Sequence, residues 1–243
     1  MAKVALITGA AQRIGSEIAR HFHAQGWNLV LHYRTSEAQA QQLCRQLNNT
    51  RAESARLVQG DISYPDCSEQ ARTNWFESDQ RLDLLINNAA VFSASPLSEI
   101  DLAHWEDTLN TNVRGPLFLC QSLAPILKRS TGSIINIADV YGQQPLRHYV
   151  VYSISKAGLV MMTRSLALEL APQIRVNAIS PGAILQPSKH SSGDTALVDS
   201  MLEKIPLKRT GNASDIAMVA FYLATNTYVT GQVITIDGGR LIS

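Results

Sequence analysis

Cysteine is scarce in this 243-residue chain. Cys44, Cys67 and Cys120 are odd in number and widely spaced, which fits neither a disulfide framework nor a paired zinc site and leaves ordinary reduced thiols. An excess of either charge is also missing, since 21 Lys and Arg stand against 20 Asp and Glu. Such a balance encodes no general attraction to nucleic acid or to an anionic membrane surface, so any phosphate binding must be local. No stretch reaches the roughly 18 consecutive apolar residues of a membrane-spanning helix. Met1 to Leu6 runs straight into a strand pattern without a charged region, apolar run and cleavage site, so a soluble cytoplasmic protein is expected. The histidines show no His-Glu-x-x-His spacing, and His21 and His23 fall on a helical pattern as surface or packing residues, so no metal is expected.

What is present is an alternation. Short apolar runs rich in branched residues recur at Val4 to Thr8, Trp27 to His32, Ala55 to Gly60, Leu82 to Asn87, Ser133 to Ala138, Arg175 to Ile179 and Gln232 to Ile236. Helical patterns lie between them: Ile14, Ile18, Ala19 and Phe22 share one face, as do Leu159, Thr163, Leu166 and Leu170. Parallel neighbours need helical crossovers of about this length. The order therefore predicts an α/β fold, a doubly wound seven-stranded parallel sheet with helices on both faces, in one domain over 1–243. Ligands then bind at the carboxyl ends of the strands. A polar stretch, Gln186 to Thr195, is read as a mobile loop and candidate substrate lid within about 183–200.

The first strand ends in Thr8-Gly9-Ala10-Ala11-Gln12-Arg13-Ile14-Gly15, and the first helix follows. A small-residue turn there lets backbone N–H groups and a helix N-terminus face a pyrophosphate. At the end of the second strand, where an acid would serve the ribose hydroxyls of NAD, stand His32-Tyr33-Arg34-Thr35-Ser36. Arg34 can pair with a 2′-phosphate, Ser36 can donate to it, and Arg13 projects toward the same region, which favours NADPH. The plainer alternative is a solvated Arg34 in a loop.

Tyr152 and Lys156 are four apart at the start of a helical segment and so share a helix face. A close ammonium and a cationic nicotinamide are expected to lower the pKa of the phenol, making Tyr152 a general acid.

Thr8 to Gly15, Asn87-Asn88-Ala89, Asn112-Val113-Arg114-Gly115, Tyr152 to Lys156, Pro181-Gly182 and Asp237-Gly238-Gly239 together resemble the ordered motifs of the short-chain dehydrogenase/reductase superfamily, a Rossmann-type fold. The resemblance covers essentially the whole chain. It implies Asn112, Tyr152 and Lys156 as catalytic-site residues, with Lys156 also on the nicotinamide ribose and Asp61 near adenine. The cofactor site it implies comprises Gly9, Arg13, Ile14, His32, Tyr33, Arg34, Ser36, Asp61, Ile62, Asn88, Ala89, Lys156, Pro181, Gly182 and Ile184. It also implies a homotetramer, for which Leu117, Leu123 and Leu127 could form a face or equally the core.

One departure is informative. The strand before Tyr152 ends Asn136-Ile137-Ala138-Asp139, where most members of the superfamily have a catalytic serine. Unless protonated, a carboxylate there repels a developing oxyanion, and it suits a substrate with amino and ring N–H groups. With Leu31 to Ser36, Arg13, Phe92 and Gln144-Pro145-Leu146, this resembles the pteridine reductases. That narrower resemblance implies a pterin between the nicotinamide and Phe92, with Asp139, Tyr152 and Tyr149 on its polar edge and Arg13 in reach. Hydride would go to a carbon of a C=N bond, converting dihydropterin to tetrahydropterin, with dihydrofolate conceivable. Ala90 and Val91 depart from the serines of the best-known members, so one polar contact is absent. Phe92 could instead fill a loop pocket, and Asp139 could be a hydrogen-bonded structural acid. Two other activities stay open: an NADPH-dependent carbonyl reductase acting on a 3-oxoacyl thioester or sugar ketone, and a catalytically silent NADPH-sensing protein.

Overall fold

A computed structural model describes residues 2–64, 66–76, 81–184 and 200–243. Its strands are β1 (Val4–Ile7), β2 (Asn28–Tyr33), β3 (Ala55–Gln59), β4 (Leu84–Asn87), β5 (Ser133–Ile137), β6 (Arg175–Pro181) and β7 (Val233–Ile236). They form one seven-stranded sheet in the order β3-β2-β1-β4-β5-β6-β7. Every pairing is parallel, as the alternation predicts.

Side chains alternate across a strand, and this sorts one sequence into two cores. Ile7, Leu29, Leu31, Ile86 and Ile135 point to one face, where they meet Ile18 and Phe22 of α1 (Arg13–Ala24), Leu43 of α2 (Glu37–Thr50) and Ile216 of α7 (Ala213–Thr225). Leu6, Val30, Leu85 and Ile134 point to the other. There they meet Cys67 of α3 (Asp66–Gln70), Leu123 and Leu127 of α5 (Gly115–Arg129) and Ala167 of α6 (Val150–Leu170). α4 (Leu102–Leu109) precedes α5. A sheet covered on both faces explains why β4 and β5 are buried at every position and read as continuous apolar runs.

Two expectations are resolved by this packing. Leu123 and Leu127 are fully buried core residues rather than an assembly face, whereas Leu117 and its neighbour Phe118 are exposed. The three cysteines are free, and burial pushes the thiols of Cys67 and Cys120 up to about 11 and about 12, so neither is a ready thiolate. Among the described residues no helix is long and apolar enough to cross a membrane, and no cluster of His, Cys, Asp and Glu could hold a metal. The Gln186 to Thr195 stretch lies outside the described residues.

The strand order reverses between β1 and β4, which opens a crevice beyond their carboxyl ends. That crevice is where the motif residues converge.

Candidate active site

A cavity of about 630 Å³ lies at this switch point. Every residue expected from the sequence to touch cofactor or substrate lines it, except Tyr149, and the expected catalytic residue Asn112 is also set back.

The floor is the turn from β1 to α1. Gly9 has φ of 61°, and a Cβ there would stand 3.0 Å from Ala89 Cα; at Gly15 a Cβ would come within 2.4 Å of Gly9 O. Close approach therefore demands both glycines, and at Gly9 the left-handed backbone conformation demands it as well. Asn88 Nδ2 donates to the carbonyls of Thr8 (2.9 Å) and Gly9 (3.1 Å), while Thr8 Oγ1 accepts the N–H groups of Asn88 (2.9 Å) and Ala89 (3.0 Å). This clamp pins the turn to β4. No side chain caps the N-terminus of α1 and no acid stands in its first turn, although Gln12 to Gly15 line the cavity. An uncapped helix start with its N–H groups at a cavity suits a phosphate, so the residues present fit a dinucleotide.

His32 braces the same turn. Its Nδ1 accepts the Gly9 N–H (3.2 Å) and its Nε2 bonds the Gly60 carbonyl (3.0 Å), so only the neutral Nε2–H tautomer satisfies both partners. Burial is the main force pushing its pKa down to about 4, against smaller opposing effects of the Gly60 carbonyl and the Asp61 charge. Because the folded value is depressed, the unfolded chain binds a proton between pH 6.5 and about 4 that the native chain does not. Stability is therefore full above pH 6.5 and falls by about 3 kcal/mol as pH drops to about 4. Urea titrations across this range should show the advantage of wild type over His32→Gln shrinking by about that amount; an advantage independent of pH contradicts the neutral clamp.

At the outer end, Arg34 pairs with Asp61 at 3.5 Å, with Arg34 nearly half exposed. Burial would raise the Asp61 pKa, but the Ser63 hydroxyl (2.7 Å), the Ser63 N–H (2.9 Å) and the Arg34 charge outweigh it and hold the carboxyl below its ordinary value. An exposed pair of this kind is weak, so a phosphate dianion can recruit Arg34. The Ser36 side chain, at the start of α2, makes no capping bond and accepts a long contact of 3.4 Å from Gln12 Nε2.

At the inner end, β5 delivers Asp139 and the first turns of α6 deliver Tyr152 and Lys156. Tyr152 Oη donates to Asp139 Oδ2 at 2.8 Å, and the Tyr141 N–H donates to Asp139 Oδ1 at 2.9 Å. Burial raises the Asp139 pKa, opposed by these bonds and by the Lys156 and Arg240 charges. Lys156 Nζ donates to the Ile137 carbonyl at 2.9 Å, and burial lowers its pKa to about 8 against the pull of Asp139. The expectation that the ammonium lowers the Tyr152 pKa is corrected. Burial and then the Asp139 charge raise it, and Lys156 Nζ sits over the phenol ring, 5.7 Å from its centroid. Tyr152 is thus held as the protonated phenol, the form a proton donor requires.

Asn112 is buried behind the wall. Its Oδ1 accepts the Val91 N–H (2.9 Å), and its Nδ2 donates to Val91 O and Ser155 Oγ (both 3.0 Å), tying the Phe92 loop to α6. It is a positioning residue in this structure. Tyr149 stacks on Phe92 with centroids 4.5 Å apart and rings inclined by 16°, while Tyr152 meets Phe92 edge-on at 4.7 Å. Phe92 keeps 56% of its surface exposed at the cavity, so it is not loop-pocket filler. Lining residues that went unremarked in the sequence include Tyr141, Arg240 and Thr111. The Thr111 hydroxyl is buried without a partner among the described residues. Adjacency to Asp139, to the Asp237-Gly238-Gly239 motif and to Asn112 was the available signal.

A family model described as enoyl-(acyl carrier protein) reductase matches residues 9–240. Similar curated proteins include 3-oxoacyl-(acyl-carrier-protein) reductase FabG of Staphylococcus epidermidis, 32% identical over 243 residues that cover 98% of this chain and 99% of that protein. The 3beta-hydroxysteroid dehydrogenase 1 of Eggerthella lenta is 32% identical over 246 residues, covering 99% and 94%. Pteridine reductase 1 of Leishmania tarentolae is 34% identical over 284 residues, covering 98% and 96%.

Proposed function

The chain belongs to the short-chain dehydrogenase/reductase superfamily and is an NAD(P)-dependent oxidoreductase, and from that premise we propose that it uses NADPH to reduce the C=N bond of a dihydropterin. The observation that carries the reading is the 2.8 Å bond from Tyr152 Oη to Asp139 Oδ2. A phenol has one proton to give. When Tyr152 turns that proton toward substrate, Asp139 loses a donor inside a buried pocket and needs another. An amino or ring N–H group supplies one; a simple ketone has none. When bound, the reduced nicotinamide supplies a hydride to the substrate carbon. Tyr152 gives one proton to the substrate nitrogen, and solvent restores it. Lys156 steadies the charge on the phenolic oxygen, while Phe92, already stacked on Tyr149, offers an apolar ring face to a flat heterocycle.

A second reading has its own support. The names of the similar proteins favour the carbonyl reductase alternative over a pterin, because 3-oxoacyl and hydroxysteroid enzymes are prominent among them and the pteridine reductase is of comparable identity. NADPH oxidation with dihydrobiopterin, dihydromonapterin, dihydrofolate and a 3-oxoacyl thioester separates the two. Turnover of a pterin is expected, and turnover of the thioester alone sinks the proposal. Tight NADPH binding without any oxidation would leave the silent sensor.

Arg34 supports NADPH over NADH. Charge-assisted bonds of this type contribute about 1.5–3 kcal/mol, so Arg34→Leu should raise the Kd for NADPH by about 10–100-fold. Fluorescence titration should find the Kd for NADH unchanged; equal weakening of both would remove the 2′-phosphate role. The further partners proposed are identical chains in a homotetramer, with the exposed Leu117 and Phe118 as its apolar support.

A further inference from the structure

The C-terminal turn brings a cation to the cavity that the reaction above does not use. Asp237 accepts the N–H groups of Gly239 (2.9 Å) and Leu241 (2.8 Å), and so fixes the short helix Arg240–Ile242 just after β7. Arg240 leaves this anchor toward the carboxyl end of β5. Its Nη2 donates to Tyr141 Oη at 2.9 Å, and its guanidinium lies 5.2 Å above the Tyr141 ring. Tyr141 in turn gives its N–H to Asp139 Oδ1. Arg240, Tyr141, Asp139 and Tyr152 thus make one continuous polar wall of the cavity.

A guanidinium carries five N–H donors in a rigid plane. One is engaged by Tyr141, and among the described residues no carboxylate forms an ion pair with Arg240. Asp139 offers only acceptors when ionised, while Arg240 offers only donors. The wall therefore presents an acceptor and a donor, Asp139 bonded to the backbone N–H of Tyr141 and Arg240 to its phenol oxygen. This pattern matches a ligand edge with N–H or amino donors beside an oxygen acceptor, and it mismatches an aliphatic ketone.

We propose that Arg240 is a substrate-binding, specificity-determining residue that takes an oxygen acceptor of the substrate while Asp139 takes its N–H donors. The inference rests on the pterin reading and deepens it. The oxygen has two possible sources, the ring carbonyl and the carboxylates of a folate tail, and both offer the same chemistry to a guanidinium.

The test compares wild type, Arg240→Leu, Arg240→Lys and Tyr141→Phe with dihydrobiopterin and dihydrofolate. Arg240→Leu should raise KM for dihydrofolate by about 10–100-fold, and for dihydrobiopterin as well where the ring carbonyl is the partner, and hold kcat within about threefold, because the contact is made before as well as during the reaction. Arg240→Lys should recover part of the loss, and Tyr141→Phe, which frees the guanidinium, should raise KM more modestly. The thermal midpoint and the Kd for NADPH serve as controls and should stay at wild-type values. A KM increase for both substrates assigns the ring carbonyl, and one confined to dihydrofolate assigns the tail; either supports the role. Unchanged KM for both, with a shifted pH profile of kcat, would overturn it and leave Arg240 as a group that merely biases Asp139. Failure of wild type to reduce any pterin is a different result, and it would remove the pterin reading itself.

Discussion

Tyr152→Phe should lower kcat by about 10²–10⁴-fold on whichever substrate the chain reduces, the range that a positioned proton donor contributes. The argument is geometric. Tyr152 Oη is within 2.8 Å of Asp139, and burial with the neighbouring carboxylate keeps the phenol protonated. Removing one oxygen leaves the ring, and so its edge contact with Phe92, in place. The variant should accordingly bind NADPH as wild type does, and single-turnover traces should locate the loss in the chemical step. A variant slowed less than about tenfold would show that another group or water delivers the proton.

Asp139→Ser should divide the two candidate chemistries. For a pterin, the serine cannot replace an acceptor-only carboxylate facing N–H groups, and loss of charge-assisted bonds of about 1.5–3 kcal/mol each predicts a fall in kcat/KM of about 10²–10³-fold. For a 3-oxoacyl thioester the same change removes a buried anion that repels the developing oxyanion, so kcat/KM should hold or rise. Running both substrates on one preparation cancels differences in folding. A larger loss with the thioester than with the pterin would transfer the chain to the carbonyl reading. Asp139→Asn adds a control: it keeps the shape but brings a donor, and should resemble the serine variant on pterins.

The sheet was legible because it is buried on both faces and its strands are short apolar runs with turn residues between them. The errors are local and have causes. β6 runs on to Pro181 because Ser180 and Pro181 pair with Thr235 and Ile236 of β7, a partner that periodicity within one strand cannot reveal. β4 starts at Leu84 rather than Leu82 since the Asp83 side chain, not the ladder, takes the Val4 N–H at 2.9 Å. Within the site, Gly9, Asp139, Tyr152 and Lys156 were legible because their residue types are odd for their positions or tied by helical spacing. Arg240 was not, because its partner Tyr141 is 99 positions away and only the folded sheet brings them together. His32 was placed at the cofactor, but its work on Gly9 and Gly60 depends on a tautomer that sequence does not encode. The direction of the Tyr152 shift was misjudged for a related reason: spacing brought Lys156 near, while depth in the fold decided which effect wins.

The clamp between Thr8 and Asn88 joins residues 80 positions apart, and the His32 contact ties in a further strand. The phosphate cradle therefore has no local precursor: it comes into being only after β1 has docked between β2 and β4. A nucleotide can reward only chains that have completed this long-range closure, so its binding energy acts entirely on the finished state and not on partly assembled ones. Cofactor supply should then govern how long a molecule survives proteolysis more strongly than how quickly it is made.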